Sequence, residues 1–162
     1  MAWHTGTELL MALLERGKSL GVAMAGTRAL EVLRVEAGIP RWGAEMDEET
    51  IPLEANLGER AISLTKGCYV GQEVIARASY RGGVRRKLVG LHLDSGSMPA
   101  RGTSLLHAAG ETKPAGEVAT AVSSPRFGAI ALGYARREFQ APGTSLVCAD
   151  GARFTVRALP FA

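Results

Sequence analysis

The sequence has few of the features that mark disulfide-stabilised, secreted or membrane proteins. Its 162 residues include two cysteines, which is too few for a disulfide framework and predicts a reducing compartment. No apolar run approaches the ~18 residues of a membrane-spanning helix, and the start MAWHTGTELL lacks the pattern of a secretory signal. No zinc-ligand spacing, phosphate loop, dinucleotide fingerprint or serine-hydrolase elbow is present. We therefore expect a cytoplasmic globular protein without a membrane or metal association.

What the sequence does contain is abundant glycine and an uneven distribution of charge. Twenty glycines and only 6% aromatic residues indicate many turns and short strands. Residues 1–60 carry a net charge of −4 and residues 61–162 a net charge of +7. The basic part favours an anionic ligand or partner, although a solvated surface with uneven charge would give the same distribution.

The first half of the chain has the periodicity of amphipathic helices. We expect helices over residues 7–17, 27–37 and 71–80 and a short strand over 61–65. The apolar stripes of the first two helices are Leu10, Leu13, Leu14, Leu30, Leu33 and Ala37. The acidic loop between them and the strand is expected to be solvated, and its carboxylates are Glu45, Asp47, Glu48 and Glu49.

From Val84 onward the pattern changes to short strands separated by turn residues. The predicted strands cover residues 88–93, 103–106, 116–123, 129–134, 145–148 and 154–159. Six short strands at this spacing are typical of a small antiparallel barrel. The predicted fold class is therefore α+β, with a mainly helical segment over residues 1–82 followed by a β-barrel over residues 83–162.

The densest chemical signal is the segment Lys66–Glu73, with the sequence KGCYVGQE. Cys68 lies in a glycine-flanked turn before a predicted helix, where free backbone N–H groups and the helix dipole favour a thiolate, and Lys66 adds positive charge. The alternative is a small buried cysteine in a tight turn. No histidine lies nearby in the sequence, so a Cys–His pair is not indicated. Cys148, on a predicted strand, is expected in the core.

Residues 77–87, after this turn, form a basic segment. Five of these eleven residues carry positive charge, and they are Arg77, Arg81, Arg85, Arg86 and Lys87. Such a segment could bind phosphates or a polyglutamate tail, or stack on RNA with the help of Tyr80. It could also be a solvated hinge between the two parts of the chain.

Several motifs together resemble the YgfZ family of folate-binding proteins, which is related to the T-protein of the glycine cleavage system. KGCYVGQE resembles the family signature, LRVEAGIP at Leu33–Pro40 and TIPLEA at Thr50–Ala55 resemble two further segments, and residues 116–161 resemble its C-terminal barrel. The resemblance covers nearly the whole chain. Family members are longer, so the chain corresponds to their later half.

The resemblance implies part of a three-lobed protein that surrounds a folate site. Residues 1–82 would form a partial lobe and residues 83–162 the barrel lobe, with tetrahydrofolate as a cofactor whose site is weak or incomplete in this chain. Cys68 would act as a reactive or ligand-exchanging thiolate tuned by Lys66. The other residues of the signature turn would shape it or face the folate, and these are Gly67, Tyr69, Gly71, Gln72 and Glu73. Gly67 and Gly71 would give the turn a backbone freedom that a Cβ would restrict. Arg34 and Glu36 are assigned as cofactor-binding.

The function implied is folate-dependent support of iron–sulfur cluster assembly or repair, and indirectly of tRNA modification. Leu30 stands where many YgfZ proteins have a tryptophan that contacts folate. The alternative is a tetrahydrofolate-dependent aminomethyltransferase; T-proteins have their catalytic aspartate in the half that is not matched and lack a cysteine in this turn. A second alternative is an RNA- or protein-binding module that uses residues 77–87. We do not expect catalysis by this chain alone.

The expected partners follow from the same resemblance. They are folate and iron–sulfur proteins, without direct binding of nucleic acid. The apolar stripes of the first two helices cannot all cover each other, and exposed leucines favour association. A homodimer through residues 1–80 is therefore expected, with mobility of that segment as the alternative.

Overall fold

The computed structural model describes residues 3–80, 83–107 and 112–161. It contains four α-helices and six β-strands within these ranges. The helices are α1 (Trp3–Gly17), α2 (Thr27–Glu36), α3 (Gly58–Ala61) and α4 (Gln72–Tyr80). The strands are β1 (Arg86–Ser95), β2 (Ser104–Leu106), β3 (Gly116–Ser124), β4 (Gly128–Arg136), β5 (Ser145–Cys148) and β6 (Arg153–Arg157).

Most of the predicted elements are present, and one is not. Helices α2 and α4 lie where the pattern predicts them, and α1 begins at Trp3, ahead of the predicted cap at Thr7. The prediction of a strand over residues 61–65 is wrong. The last turn of α3 ends at Ala61, and the residues after it pair with no described strand. An extended segment needs a neighbouring strand for its backbone groups, whatever its side chains prefer.

The predicted antiparallel barrel is confirmed, and it is closed. Its strands follow the order β1-β4-β3-β2-β5-β6, and β1 and β6 pair to complete the ring. Two register shifts, near Leu93 in β1 and near Ala119 in β3, add curvature to the sheet. Gly133 of β4 is required by the close approach of its neighbours, since a Cβ there would lie 2.6 Å from the Glu117 carbonyl oxygen and 2.6 Å from Leu91 Cδ1.

The barrel has a core inside and a second cluster outside. The interior contains alternate side chains of the strands, including Val89, Leu91, Leu105, Val118, Ala131, Leu146, Phe154 and Val156. On the outer face of β1 and β4, Leu88, Ile130, Leu132 and Tyr134 pack with Val35 from the end of α2. Leu159 and Phe161 of the tail pack on the same outer cluster. Both faces of β1 are therefore buried, which explains its nearly continuous apolar sequence.

The chain divides into two compact units, Met1–Glu31 and Val32–Ala162. In the first unit, the large apolar side chains are mostly exposed. They include Leu9, Leu10, Met11, Leu13, Leu20, Met24 and Leu30. Of the leucines in the two predicted apolar stripes, Leu10, Leu13, Leu30 and Leu33 are exposed, as expected, and Leu14 is partly buried. None of the helices in the described ranges combines the length and apolar character needed to cross a membrane.

Candidate functional site

A buried ion pair fixes the segment that follows α2. The Arg34 guanidinium donates from Nη1 to Glu45 Oε2 at 2.8 Å, and both side chains are almost wholly buried. Arg34 also donates to the Ile39 carbonyl at 3.2 Å and from Nη2 to Thr120 Oγ1 of β3 at 3.2 Å. The Arg41 backbone N–H donates to the same Glu45 oxygen at 2.9 Å. Arg34 therefore joins its own segment to the barrel wall.

The prediction that the whole acidic loop is solvated is wrong for Glu45. Only 4% of Glu45 is exposed, whereas Asp47, Glu48 and Glu49 are exposed as expected. Glu45 Oε1 is buried without a hydrogen-bond partner. Pairing with Arg34 is what allows this carboxylate to be buried, because an isolated buried charge would be very costly.

Two further polar contacts hold the same region on the barrel. Ser124 Oγ donates to Glu36 Oε1 at 2.6 Å, and Tyr134 Oη donates to the Glu45 carbonyl at 2.9 Å. Burial raises the pKa of Tyr134 well above its ordinary value, against the opposing effect of the neighbouring Arg86 charge. The structure thus gives Arg34 and Glu36 partners within the protein, and their direct contact with a cofactor stays a prediction.

A cavity of about 660 Å³ lies beside the segment after α2, which Arg34 and Glu36 hold against the barrel. Its apolar lining includes Leu53, Leu88, Leu159 and Pro160. Three cations from three different elements also line it: Arg60 follows the start of α3, Lys87 lies on β1, and Arg157 ends β6. None of these three forms an ion pair with a described residue, and one carboxylate, Glu59, lines the cavity with them. The cavity can accept an anionic molecule with an apolar body.

Residues 66–71 of the KGCYVGQE segment form the turn before α4, and Cys68 in this turn is exposed. The alternative of a buried cysteine is therefore wrong. Lys66 Nζ lies 4.8 Å from the centroid of the Tyr69 ring, and the Tyr69 hydroxyl is buried without a partner. Gly71 has φ +86°, which supports the need for glycine there. The same expectation is wrong for Gly67, because a Cβ there would meet nothing within 4 Å and its φ is ordinary.

The last two residues of the signature segment lie in α4, and the second cysteine lies in the barrel. Gln72 is the first residue of α4, and Glu73 pairs with Arg77 one turn later at 2.9 Å. Cys148 lies in the barrel interior, as predicted, and burial raises the pKa of its thiol, with a smaller contribution from Asp150. The described residues contain no group of three or more His, Cys, Asp or Glu side chains placed to hold a metal ion.

The structure separates the predicted basic segment into different environments. Arg77 is paired on α4, Lys87 faces the 660 Å³ cavity, and Arg81 lies outside the described residues. Arg86 donates to Glu54 and to Glu117, each at 3.0 Å, and lies over the Tyr134 ring. Although its partial burial alone would lower the pKa of Arg86, the hydrogen bond and charge of Glu54 raise it.

Sequence reasoning missed several residues that share these sites. Arg60 and Arg157 join Lys87 at the cavity, while Arg136 and Arg137 lie beside Arg85 and Arg86. The pairing of β1 with β4 places Arg136 beside Arg86, and the pairing of β1 with β6 brings Arg157 to the side of Lys87. Because these paired strands are distant in the sequence, no local sequence pattern indicates which of their residues lie side by side.

Two domain descriptions match this chain. Residues 1–66 match the GCVT N-terminal domain, and residues 86–161 match the glycine cleavage T-protein C-terminal barrel domain. An aminomethyltransferase of Saccharopolyspora erythraea is 37% identical over 155 residues, which cover 93% of this chain and 41% of that protein. An aminomethyltransferase of Streptomyces coelicolor is 34% identical over 160 residues, which cover 94% and 42%.

The fold has a counterpart among solved structures. The glycine cleavage system aminomethyltransferase T from Bartonella henselae superposes with a TM-score of 0.76 at 23% identity. The match covers 98% of this chain and 44% of that protein. The chain therefore spans about two-fifths of the length of the relatives and solved structure that it matches.

Proposed function

Because this chain belongs to the glycine cleavage T-protein family, we propose that it binds tetrahydrofolate and serves aminomethyl transfer. From the sequence motifs alone, this function ranked second, after a YgfZ-type role in iron–sulfur cluster support. The names of the similar proteins favour it, since they are aminomethyltransferases. In this proposal the chain supplies the barrel and part of a folate site. The remaining part of the site lies in the portion of the longer relatives that this chain does not match.

The observation that supports folate binding is the 660 Å³ cavity. A folate carries flat aromatic rings at one end and carboxylates at the other. Apolar walls from Leu53, Leu88 and Leu159 suit the rings, and Lys87 and Arg157 suit the carboxylates. These residues fit such a molecule, which would supply the acceptor for a one-carbon unit.

Arg34 and Glu36 have a positioning role in this proposal. Their bonds to Glu45, Thr120 and Ser124 hold the turn after α2 against the barrel. Ala37, the next residue, lines the cavity. The ion pair therefore fixes one wall of the proposed folate site, while Lys87 and Arg157 do the binding.

The test is an NMR titration of the full chain with 5-formyltetrahydrofolate, an air-stable probe. We expect backbone amide shifts at the cavity and a dissociation constant weaker than ~100 µM, about 5.5 kcal/mol, because part of the site is supplied by the longer protein type. K87Q/R157Q should weaken binding at least about fivefold. The matched control is K113Q/R153Q, which removes the same charge from exposed positions outside the cavity.

The outcomes of this titration are separable. No shift at the cavity at millimolar probe refutes folate binding there. Equal weakening by the two double variants refutes specific recognition and indicates general charge attraction. A micromolar affinity would show that the chain holds a complete site, contrary to the weak binding expected.

A second candidate function is the YgfZ-type support of iron–sulfur clusters, and the exposure of Cys68 favours it. A thiol in this role must be accessible to its client. Iodoacetamide should label Cys68 in the folded chain, while the buried Cys148 should label only on unfolding. Absence of Cys68 labelling in the folded protein would exclude this candidate.

Reactivation of a cluster-damaged [4Fe–4S] enzyme separates the two functions. Under the second candidate, the chain with folate restores activity and C68S does not. Under the first, C68S leaves folate binding unchanged and the chain gives no reactivation.

A further inference from the structure

Four arginines converge at one end of the β1–β4 ladder. Arg86 of β1 lies directly opposite Arg136 of β4 in the register of the sheet. Their neighbours Arg85 and Arg137 are joined by a backbone bond, in which the Arg137 N–H donates to the Arg85 carbonyl at 3.1 Å. Like charges placed opposite each other on antiparallel strands destabilise the pair unless something neutralises them.

The protein neutralises only part of this charge. Arg86 uses Glu54 and Glu117, each at 3.0 Å. Arg85 and Arg136 form no ion pair or hydrogen bond from their side chains with any described residue. Arg85, which directly precedes β1, and Arg136 of β4 thus have no ion-pair partner among the described residues, and the carboxylates that Arg86 contacts are already bound to it.

These side chains border a cavity of about 580 Å³. It is lined by Arg85, Arg86, Arg136 and Arg137, by the carboxylates Glu54 and Glu138, and by Gly83 and Val84. The charged lining has a net positive charge, and Glu54 is bound to Arg86. This cavity shares no lining residue with the 660 Å³ cavity of the proposed folate site.

We propose that this arginine pocket, defined by Arg85, Arg136 and their neighbours in the 580 Å³ cavity, binds a small molecule that carries a di- or triphosphate group. Guanidinium groups bind phosphate through paired N–H donors, and they stay charged at any physiological pH. The pocket lies outside the proposed folate site, so the chain has a second ligand site of different chemistry.

The spacing of the arginines favours a compact oligophosphate over an acidic peptide. Arg86 and Arg136 lie opposite each other, where Cα atoms of an antiparallel pair are about 4.5–5.5 Å apart, and Arg85 is the next residue along the chain from Arg86. Arg85 and Arg136 therefore border one compact cavity, in which their guanidinium groups can hold adjacent phosphates. Successive side chains of an extended peptide point to opposite sides, and those on one side are about 7 Å apart. The carboxylates of a peptide at this repeat match one compact cavity less closely than an oligophosphate, whose charges lie on directly linked groups.

The experiment is calorimetric titration of the full chain with inorganic tripolyphosphate at low ionic strength. We expect binding that R85Q/R136Q weakens at least tenfold. K113Q/R153Q, which removes the same charge elsewhere on the surface, should change it less than twofold. R85K/R136K, which keeps the charge and loses the paired donors, should fall between the two.

Three results would overturn the proposal. They are no binding at 1 mM tripolyphosphate, equal weakening by both charge-removing variants, or tighter binding of triglutamate than of tripolyphosphate. Competition by a short single-stranded RNA at lower phosphate concentration would overturn the assignment to a small ligand. If R85Q/R136Q fails to fold by circular dichroism, the lysine variant and the amide shifts of residues 85 and 136–138 on titration decide the same question.

Discussion

The Arg34 side chain connects the segment after α2 to the barrel through Glu45 and Thr120. We predict that R34M lowers the free energy of unfolding by about 3–5 kcal/mol, because it leaves the Glu45 carboxylate buried without its cation. Urea denaturation followed by circular dichroism measures this change. The double variant R34M/E45M should recover part of the loss, since it removes the uncompensated charge as well.

The matched control is R126M. Arg126 lies 4.0 Å from the buried Glu36 but is itself largely exposed, so its loss should cost no more than about 1 kcal/mol. A cost for R34M no larger than that of R126M would show that the buried pair contributes little.

Tyr134 should make the stability of the protein fall in alkaline solution. Its pKa is raised in the folded state by burial. Above about pH 10 the unfolded chain loses the phenolic proton while the folded chain keeps it, so rising pH favours unfolding. The stabilisation is full below pH 10 and is lost as the pH rises above it.

Y134F isolates this effect. Near pH 7 it should be less stable than the parent by about 1 kcal/mol, because the bond to the Glu45 carbonyl is lost. That difference should narrow between pH 9 and 11 in a series of urea titrations. Y80F, at an exposed tyrosine, should show a constant difference over the same range, and a constant difference for Y134F would contradict the prediction.

At the scale of elements, what could be predicted depended on how local the signal was. The helices α2 and α4 and the barrel strands carry their pattern within a few residues, so the sequence sufficed for them. Residues 61–65 have a strand composition, but a strand also needs a partner, which the described chain does not provide. The burial of Glu45 depends on Arg34, and composition alone places a loop carboxylate in solvent.

The site was predictable only in part, for the same reason. Cys68 and Lys87 stand in recognisable motifs, while Arg157 and Arg136 become relevant through the pairing of β1 with β6 and with β4. Strand order in a barrel is set by packing between distant segments. No periodicity within one segment reports it.

The β3–β4 pair offers a test of close packing. We predict that G133A lowers the free energy of unfolding by about 2 kcal/mol or more, because the added methyl would overlap the Glu117 carbonyl oxygen and Leu91. Thermal denaturation measures it. G67A is the matched control, since its Cβ would meet nothing, and a similar cost for both variants would show that the strands can separate to accept the methyl group.

For the whole molecule, the exposed apolar side chains of residues 1–31 predict association. We expect a sedimentation coefficient that rises with protein concentration, because covering several exposed leucines is worth ~1.5–3 kcal/mol each. L9E/L13E, which places charge on the exposed face of α1, should keep the protein monomeric. The melting temperature of the barrel should not change in this variant.

Amide hydrogen exchange completes this test. If the parent is monomeric, the amides of α1 should exchange faster than those of the barrel strands, since their side chains bury little surface. A monomer in which residues 7–37 are as well protected as the barrel would refute the prediction.

The closed ring of strands also has a consequence for biosynthesis. β1 pairs with β6, and β1 ends at Ser95 whereas β6 begins at Arg153, so one edge of β1 stays open until the ribosome has nearly finished the barrel. Exposed strand edges on a nascent chain are templates for pairing with other chains. A chain released before β6 is made would have open edges on both β1 and β5. Pairing of β6 with these two strands converts the aggregation-prone sheet into a ring without edges.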